Sequence, residues 1–273
     1  LRILGYNEKN PHESVNPRNA GMAKIVSIHS YRGGTGKSNT TANLAAQLCQ
    51  LGYRVGVVDT DIQSPGIHVL FGLQAEETKF TLNDYLWGKC DVAKAAYDVT
   101  ARLNSVGRGK VFLIPSSIKA NEIARILREG YDVGLLSDGY EDLIRALQLD
   151  VLMIDTHPGL NEETLLSIVV STTVILLLRP DQQDYQGTAV TVDVARKLGV
   201  AQLLMIVNKV PAAFDAIEIK AMVERSYQCE VGAVLPHSDE VMALASRSLF
   251  TLQYPDSDLT RQLQIVAQRI MRQ

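Results

Sequence analysis

Ser30-Tyr31-Arg32-Gly33-Gly34-Thr35-Gly36-Lys37-Ser38 is the stretch on which the reading of this chain turns. An apolar run, Ile25-Val26-Ser27-Ile28, leads into it. A helical pattern follows, with Leu44, Ala45, Leu48 and Leu51 on one face. Strand, glycine loop and helix in that order are the layout a phosphate-binding loop requires, and Gly-Lys-Ser after Gly-Gly favours that over a tight turn with an incidental Lys. Three glycines in four positions let the backbone curl until several N–H groups point inward, with no side chains to keep phosphate oxygens away. The start of the helix adds its positive dipole end. Lys37 reaches the terminal phosphates as a point charge, and Ser38 offers its hydroxyl to Mg²⁺. The spacing departs from the ordinary Gly-x-x-x-x-Gly-Lys-Ser loop, because Tyr31 stands where the first glycine belongs and a basic residue, Arg32, precedes Gly-Gly.

Outward from the loop, 273 residues suit one α/β domain with a large core. A net charge of -3 gives no global pull toward nucleic acid or anionic lipid, although a local basic patch stays open. Cys49, Cys90 and Cys229 are far apart and form no C-x-x-C pair, so neither a disulfide framework nor a cluster site is signalled. Reduced cytoplasm is the expected compartment. No apolar run reaches the roughly 18 to 20 residues of a membrane span, and the start lacks the apolar core of a signal peptide. Residues 1–21 are polar, carry Pro11 and Pro17, and show no periodicity; they read as a leader or an added extension. Residues 22–273 read as a single domain.

Helix one is expected over Lys37–Leu51, with Gly52 as its C-terminal cap. The strand Arg54–Val58 delivers Asp59-Thr60-Asp61-Ile62-Gln63-Ser64-Pro65-Gly66, a carboxylate pair at the carboxyl end of a strand, where open α/β sheets bind ligands. By themselves these carboxylates could also simply end the strand and cap a turn. Residues 71–99 look helical and loop-like, packed by Leu82, Tyr85, Leu86 and Trp87. A short strand, Lys110–Pro115, precedes helical patterns around Ala120–Arg128 and Asp138–Leu147. Val151–Asp155 is a hydrophobic strand ending in a carboxylate, followed by Thr156-His157-Pro158-Gly159. His157 reads as a contact or packing residue rather than an acid or base. Further strands are expected at Val174–Leu178, Leu203–Val207 and Val231–Leu235, with a helix over Asp184–Leu198 and a last one over Asp258–Met271. Ser238 is placed to cap a helix. This alternation predicts a mostly parallel sheet with helices on both faces.

Arg32 before Gly-Gly-Thr-Gly-Lys-Ser resembles the deviant loop of the MinD/ParA family of P-loop ATPases, with Arg in place of the family's Lys. Two more motifs follow in the right order, Asp59–Gly66 and Asp155–Gly159, and the resemblance spans Lys24 to the end. It implies ATP and Mg²⁺ as cofactors. Gly33, Gly34, Thr35, Gly36, Lys37, Ser38 and Asn39 would then hold phosphates, and Asn208, Pro236 and His237 the base and ribose. Ser38, Asp59 and Asp155 would serve the metal. Asp61 would position or activate the attacking water, as a catalytic residue with Lys37 and Arg32. Asp61 and Gln63 would form one switch, Thr156, Pro158 and Gly159 the other, with the Gly159 N–H swinging to the γ-phosphate. Arg32 would cross a dimer interface to the partner's nucleotide, a charge its planar fork can deliver. The implied protein is an ATP-dependent homodimer with slow, partner-stimulated hydrolysis that positions a DNA locus, division site, organelle-like compartment or flagellum. Non-specific DNA stays open as its surface; a membrane is less expected, because the extra amphipathic tail of MinD itself is missing.

Three alternatives stand beside this reading. An iron–sulfur carrier of the Mrp type shares the loop but relies on paired cysteines. A bacterial tyrosine kinase of this loop class has a tyrosine-rich tail, and only Tyr254 lies near the end. An ATP-binding regulator with negligible turnover is the third, because Arg32 is unusual.

Overall fold

The computed structural model describes residues 22–103 and 108–272. The leader expected over residues 1–21 lies outside the described residues. Strand β1 (Lys24–His29) leads into helix α1 (Lys37–Gln50), and β2 (Arg54–Asp59) follows. Two short helices, α2 (Ile67–Leu70) and α3 (Leu82–Leu86), precede β3 (Tyr97–Asp98) and β4 (Lys110–Ile114). Then come α4 (Ala120–Glu129), α5 (Gly134–Leu147), β5 (Val151–Asp155), α6 (Glu162–Val170), β6 (Thr173–Leu178) and α7 (Gln182–Lys197). The chain continues through β7 (Gln202–Val210), α8 (Ala216–Tyr227), β8 (Glu230–Pro236), α9 (Asp239–Leu244), α10 (Phe250–Gln253) and α11 (Asp258–Arg272).

Among the described residues the strands form one sheet in the order β3-β4-β2-β5-β1-β6-β7-β8. Every pairing is parallel except β3 with β4. Helices cover both faces, which is why β5 and β6 read as unbroken apolar runs instead of alternating. On one face Val26, Ile28, Val57 and Met153 pack with Leu44 and Leu48 of α1 and Leu263, Val266 and Ile270 of α11. On the other, Leu152 and Ile154 meet Leu136, Tyr140 and Leu143 of α5, while Val174 and Leu176 meet Val192 of α7 and Val223 of α8.

The predicted elements are present, with shifted ends. Helix α5 starts at Gly134 instead of Asp138, and α7 at Gln182, where Asp181 caps it through Gln183 and Asp184 N–H groups. Gly52 takes a left-handed φ of 96° just past α1, as a C-terminal glycine should. Ser238 caps α9 by accepting from the Val241 N–H at 3.2 Å. Strand β7 runs on to Val210 and bulges: Val207 pairs with Val234 and Val210 with Pro236, so Asn208 and Lys209 stand opposite one residue.

Candidate nucleotide-binding site

The loop between β1 and α1 is built by its glycines. Gly34 has φ 77° and Gly36 φ 101°, a region that strains any residue with a Cβ. Gly36 is also closely approached, since a Cβ there would sit 2.5 Å from Asn208 Nδ2. Inside the loop, Thr35 Oγ1 donates to Ser30 Oγ at 2.9 Å, and Ser30 Oγ donates to the Arg32 carbonyl at 2.7 Å. From outside, Asn208 Nδ2 donates to the Thr35 carbonyl and Lys209 Nζ to the Gly34 carbonyl, each at 2.8 Å.

Two carboxylates close the floor. Asp59 and Asp155 are register partners at the ends of β2 and β5, and both are fully buried. Burial, then the Asp155 and Asp61 charges, hold the Asp59 carboxyl well above its usual range, against hydrogen bonds from the Asp61 and Gly66 N–H groups. Asp155 is pushed up to about 6 by burial, opposed by the Ser38 hydroxyl, Lys37 and the Thr41 hydroxyl. Lys37 is itself buried, and that burial lowers its pKa while Asp155 and Asp61 act to raise it. One ammonium thus faces several acidic groups. Asp61 lies at the rim, its pKa raised by burial, with His157 Nε2 3.9 Å from Oδ1. His157 Nδ1 donates to the Pro158 carbonyl at 2.6 Å, because a carbonyl can only accept.

The segment after β5 is docked on the loop. Thr156 Oγ1 donates to the Ile28 carbonyl at 2.9 Å, and the buried His29 Nδ1 lies 2.8 Å from the same hydroxyl. Burial lowers the His29 pKa to about 3, so this imidazole is neutral. The Gly159 N–H donates to the Ser30 carbonyl at 3.2 Å, with Gly159 at φ 87°. Pro158 packs over Gly33. Gln63, by contrast, is exposed and lines a neighbouring cleft of about 230 Å³ with Thr60, Tyr131 and His157.

Beside the loop, Gly36, Asn39, Asn208, Pro236 and His237 share the wall of a cavity of about 360 Å³ with Val241, Met242 and Leu259. The Asn208 amide is already engaged, its Oδ1 accepting from the Lys209 N–H at 2.9 Å. Arg32 folds back onto its own chain, 3.7 Å from both Asp181 and Asp184 at the start of α7. Arg179 grips Asp184 as well, its Nε donating at 2.9 Å. Lys209, Thr41 and Asp184 are site neighbours that the sequence reading missed. Lys209 had a signal in its position directly after Asn208; Asp184 had none.

A curled glycine loop at the carboxyl ends of parallel strands, with carboxylates ending the two strands beside it, defines a P-loop nucleoside triphosphatase fold. A family model described as an AAA domain matches residues 23–210, and the chain belongs to that family. The chain is 28% identical over 253 residues to an uncharacterized ATP-binding protein of Methanocaldococcus jannaschii, covering 92% of this chain and 88% of that protein. It is also 28% identical over 189 residues to a putative septum site-determining protein MinD of Guillardia theta, covering 69% of this chain and 64% of that one. The fold matches the septum site-determining protein MinD of Pyrococcus horikoshii, solved with Mg-ADP, at a TM-score of 0.74 and 22% identity over 92% of this chain and 96% of that one. The fold expected from the MinD/ParA resemblance is therefore the fold found.

Proposed function

We propose that this chain is a Mg²⁺-dependent ATP switch that pairs with a second copy when ATP is bound, hydrolyses it slowly, and so places a cargo inside the cell. One observation carries the reading: Lys37, Asp59 and Asp155 converge, buried, beneath a loop whose backbone is curled to grip phosphates. Two buried carboxylates with raised pKa values and one buried ammonium leave a site that fits a divalent cation. Ser38 would hold it directly and Asp155 through water, with Asp59 nearby. Magnesium, when bound, neutralises charge on the β- and γ-phosphate oxygens.

The chain's own groups do the rest. Loop N–H groups and Lys37 hold the phosphates, and Asp61 orients the attacking water and accepts its proton. The Gly159 N–H must leave the Ser30 carbonyl before it can meet a γ-phosphate, which links that segment to nucleotide state. Arg32 must likewise leave Asp181 and Asp184 to reach a partner's nucleotide. The Mg-ADP of the Pyrococcus horikoshii MinD structure supports the ligand, and the name of the Guillardia theta protein supports a positioning role. An activating partner protein and a cargo surface, DNA or membrane, complete the proposal.

The test is the ATPase rate per subunit against protein concentration, for wild type and Arg32→Ala. The wild-type rate should rise through the dimerisation range, and the variant's should stay low. A wild-type rate independent of concentration, with no effect of the substitution, overturns the switch. Lys37→Ala should abolish tight nucleotide binding in calorimetry; unchanged affinity overturns the site.

A further inference from the structure

The bulge near the end of β7 interrupts the pairing with β8, which resumes at Val210. Two residues, Asn208 and Lys209, stand opposite one on β8, and Lys209 takes a left-handed φ of 58° that a side-chain-bearing residue adopts only when its surroundings hold it there. The result is a change of direction. Both side chains turn away from β8 toward the glycine loop and bond two consecutive carbonyls, Thr35 by Asn208 and Gly34 by Lys209. The loop is shaped to receive them, since a Cβ on Gly36 would collide with the Asn208 amide. Asn208 is further fixed by the Lys209 N–H. A carbonyl held outward turns its peptide's N–H inward, toward where phosphate oxygens sit.

We propose that Asn208 and Lys209 form a strut that positions the phosphate loop, with Lys209 as a positioning residue that sets phosphate affinity whatever base is attached. The proposal rests on the nucleotide reading above. Asn208 keeps its place in the wall of the base cavity, so one strand end serves both halves of the ligand.

Lys209 is exposed, so Lys209→Met should fold normally. Binding of Mg-ATP and of inorganic tripolyphosphate, which has no base, is measured by calorimetry at 0.1 M and at 1 M salt. The variant should bind both ligands about fivefold more weakly than wild type, the scale of one net hydrogen bond. The loss should persist at 1 M salt, where the Debye length is about 3 Å and distant attraction to an ammonium is screened. Unchanged affinity overturns the strut. A loss confined to ATP makes Lys209 a base contact instead, and a loss that vanishes at 1 M salt makes it a distant charge; either result overturns the strut too. If wild type binds neither ligand, the nucleotide reading itself fails.

Discussion

Asp155 shows how a single residue can hold the nucleotide-free protein at a disadvantage. Its carboxyl is pushed up to about 6 by burial, from an ordinary value of 3.8. The folded chain therefore binds this proton more tightly than the unfolded chain, so the contribution to stability is full below the unfolded value and is lost as pH climbs through about 6. At pH 7.5 without nucleotide, Asp155→Asn should melt at a higher temperature than wild type, and the gap should close toward pH 4. Scanning calorimetry across that range checks it; a wild type that is the more stable at pH 7.5 contradicts the sign. Arg32 is the opposite case. Its own guanidinium is half-exposed and 3.7 Å from each partner, and buried Asp184 keeps Arg179 at 2.9 Å, so the Arg32 pairs add well under about 1 kcal/mol. Arg32→Ala should leave the melting temperature almost unmoved, which keeps its kinetic test clean. Lys37, Asp59 and Asp155 were legible because each ends a strand or loop with its own local pattern. The partners of Arg32 and Asn208 were not, because they lie about 150 and 170 positions away and only folding brings them near.

At the scale of elements, α7 and the loop fit together through Tyr31, the residue that replaces the usual glycine. Its ring lies on the backbone of α7 at Gly187, where an added methyl group would overlap it. Alanine inside a helix normally stabilises by about 1 kcal/mol over glycine. Here Gly187→Ala should lower the melting temperature and weaken ATP binding, because it drives Tyr31 and the loop away. In a Tyr31→Gly background the same change should raise the melting temperature. The cycle is read by thermal denaturation of the four proteins, and simple additivity would dispose of the contact. Strands were easy to read from the sequence, being buried on both sides and so unbroken in apolarity. Helix α6 escaped because its nine residues, Glu162–Val170, are apolar on most sides and offer no stripe. Strand β3 has two residues and pairs antiparallel at the sheet edge, too short to leave a period.

On the scale of the whole molecule, the candidate site hangs from one rim. The loop after β1, the carboxylates ending β2 and β5 and the strut ending β7 all sit at the carboxyl ends of parallel strands. Helix α11 runs the other way: Leu259 and Leu263 line the cavity beside the loop, while Arg269 near its end pairs with Glu230 at the start of β8. Met22, just before β1, and Arg272, ending α11, therefore both lie at the rim far from the loop. Lys24 and His29 are five steps apart along β1, about 17 Å of rise. A reporter or tether spliced at either place would trail behind the molecule, leaving the side that carries the glycine loop unshaded for whatever it meets.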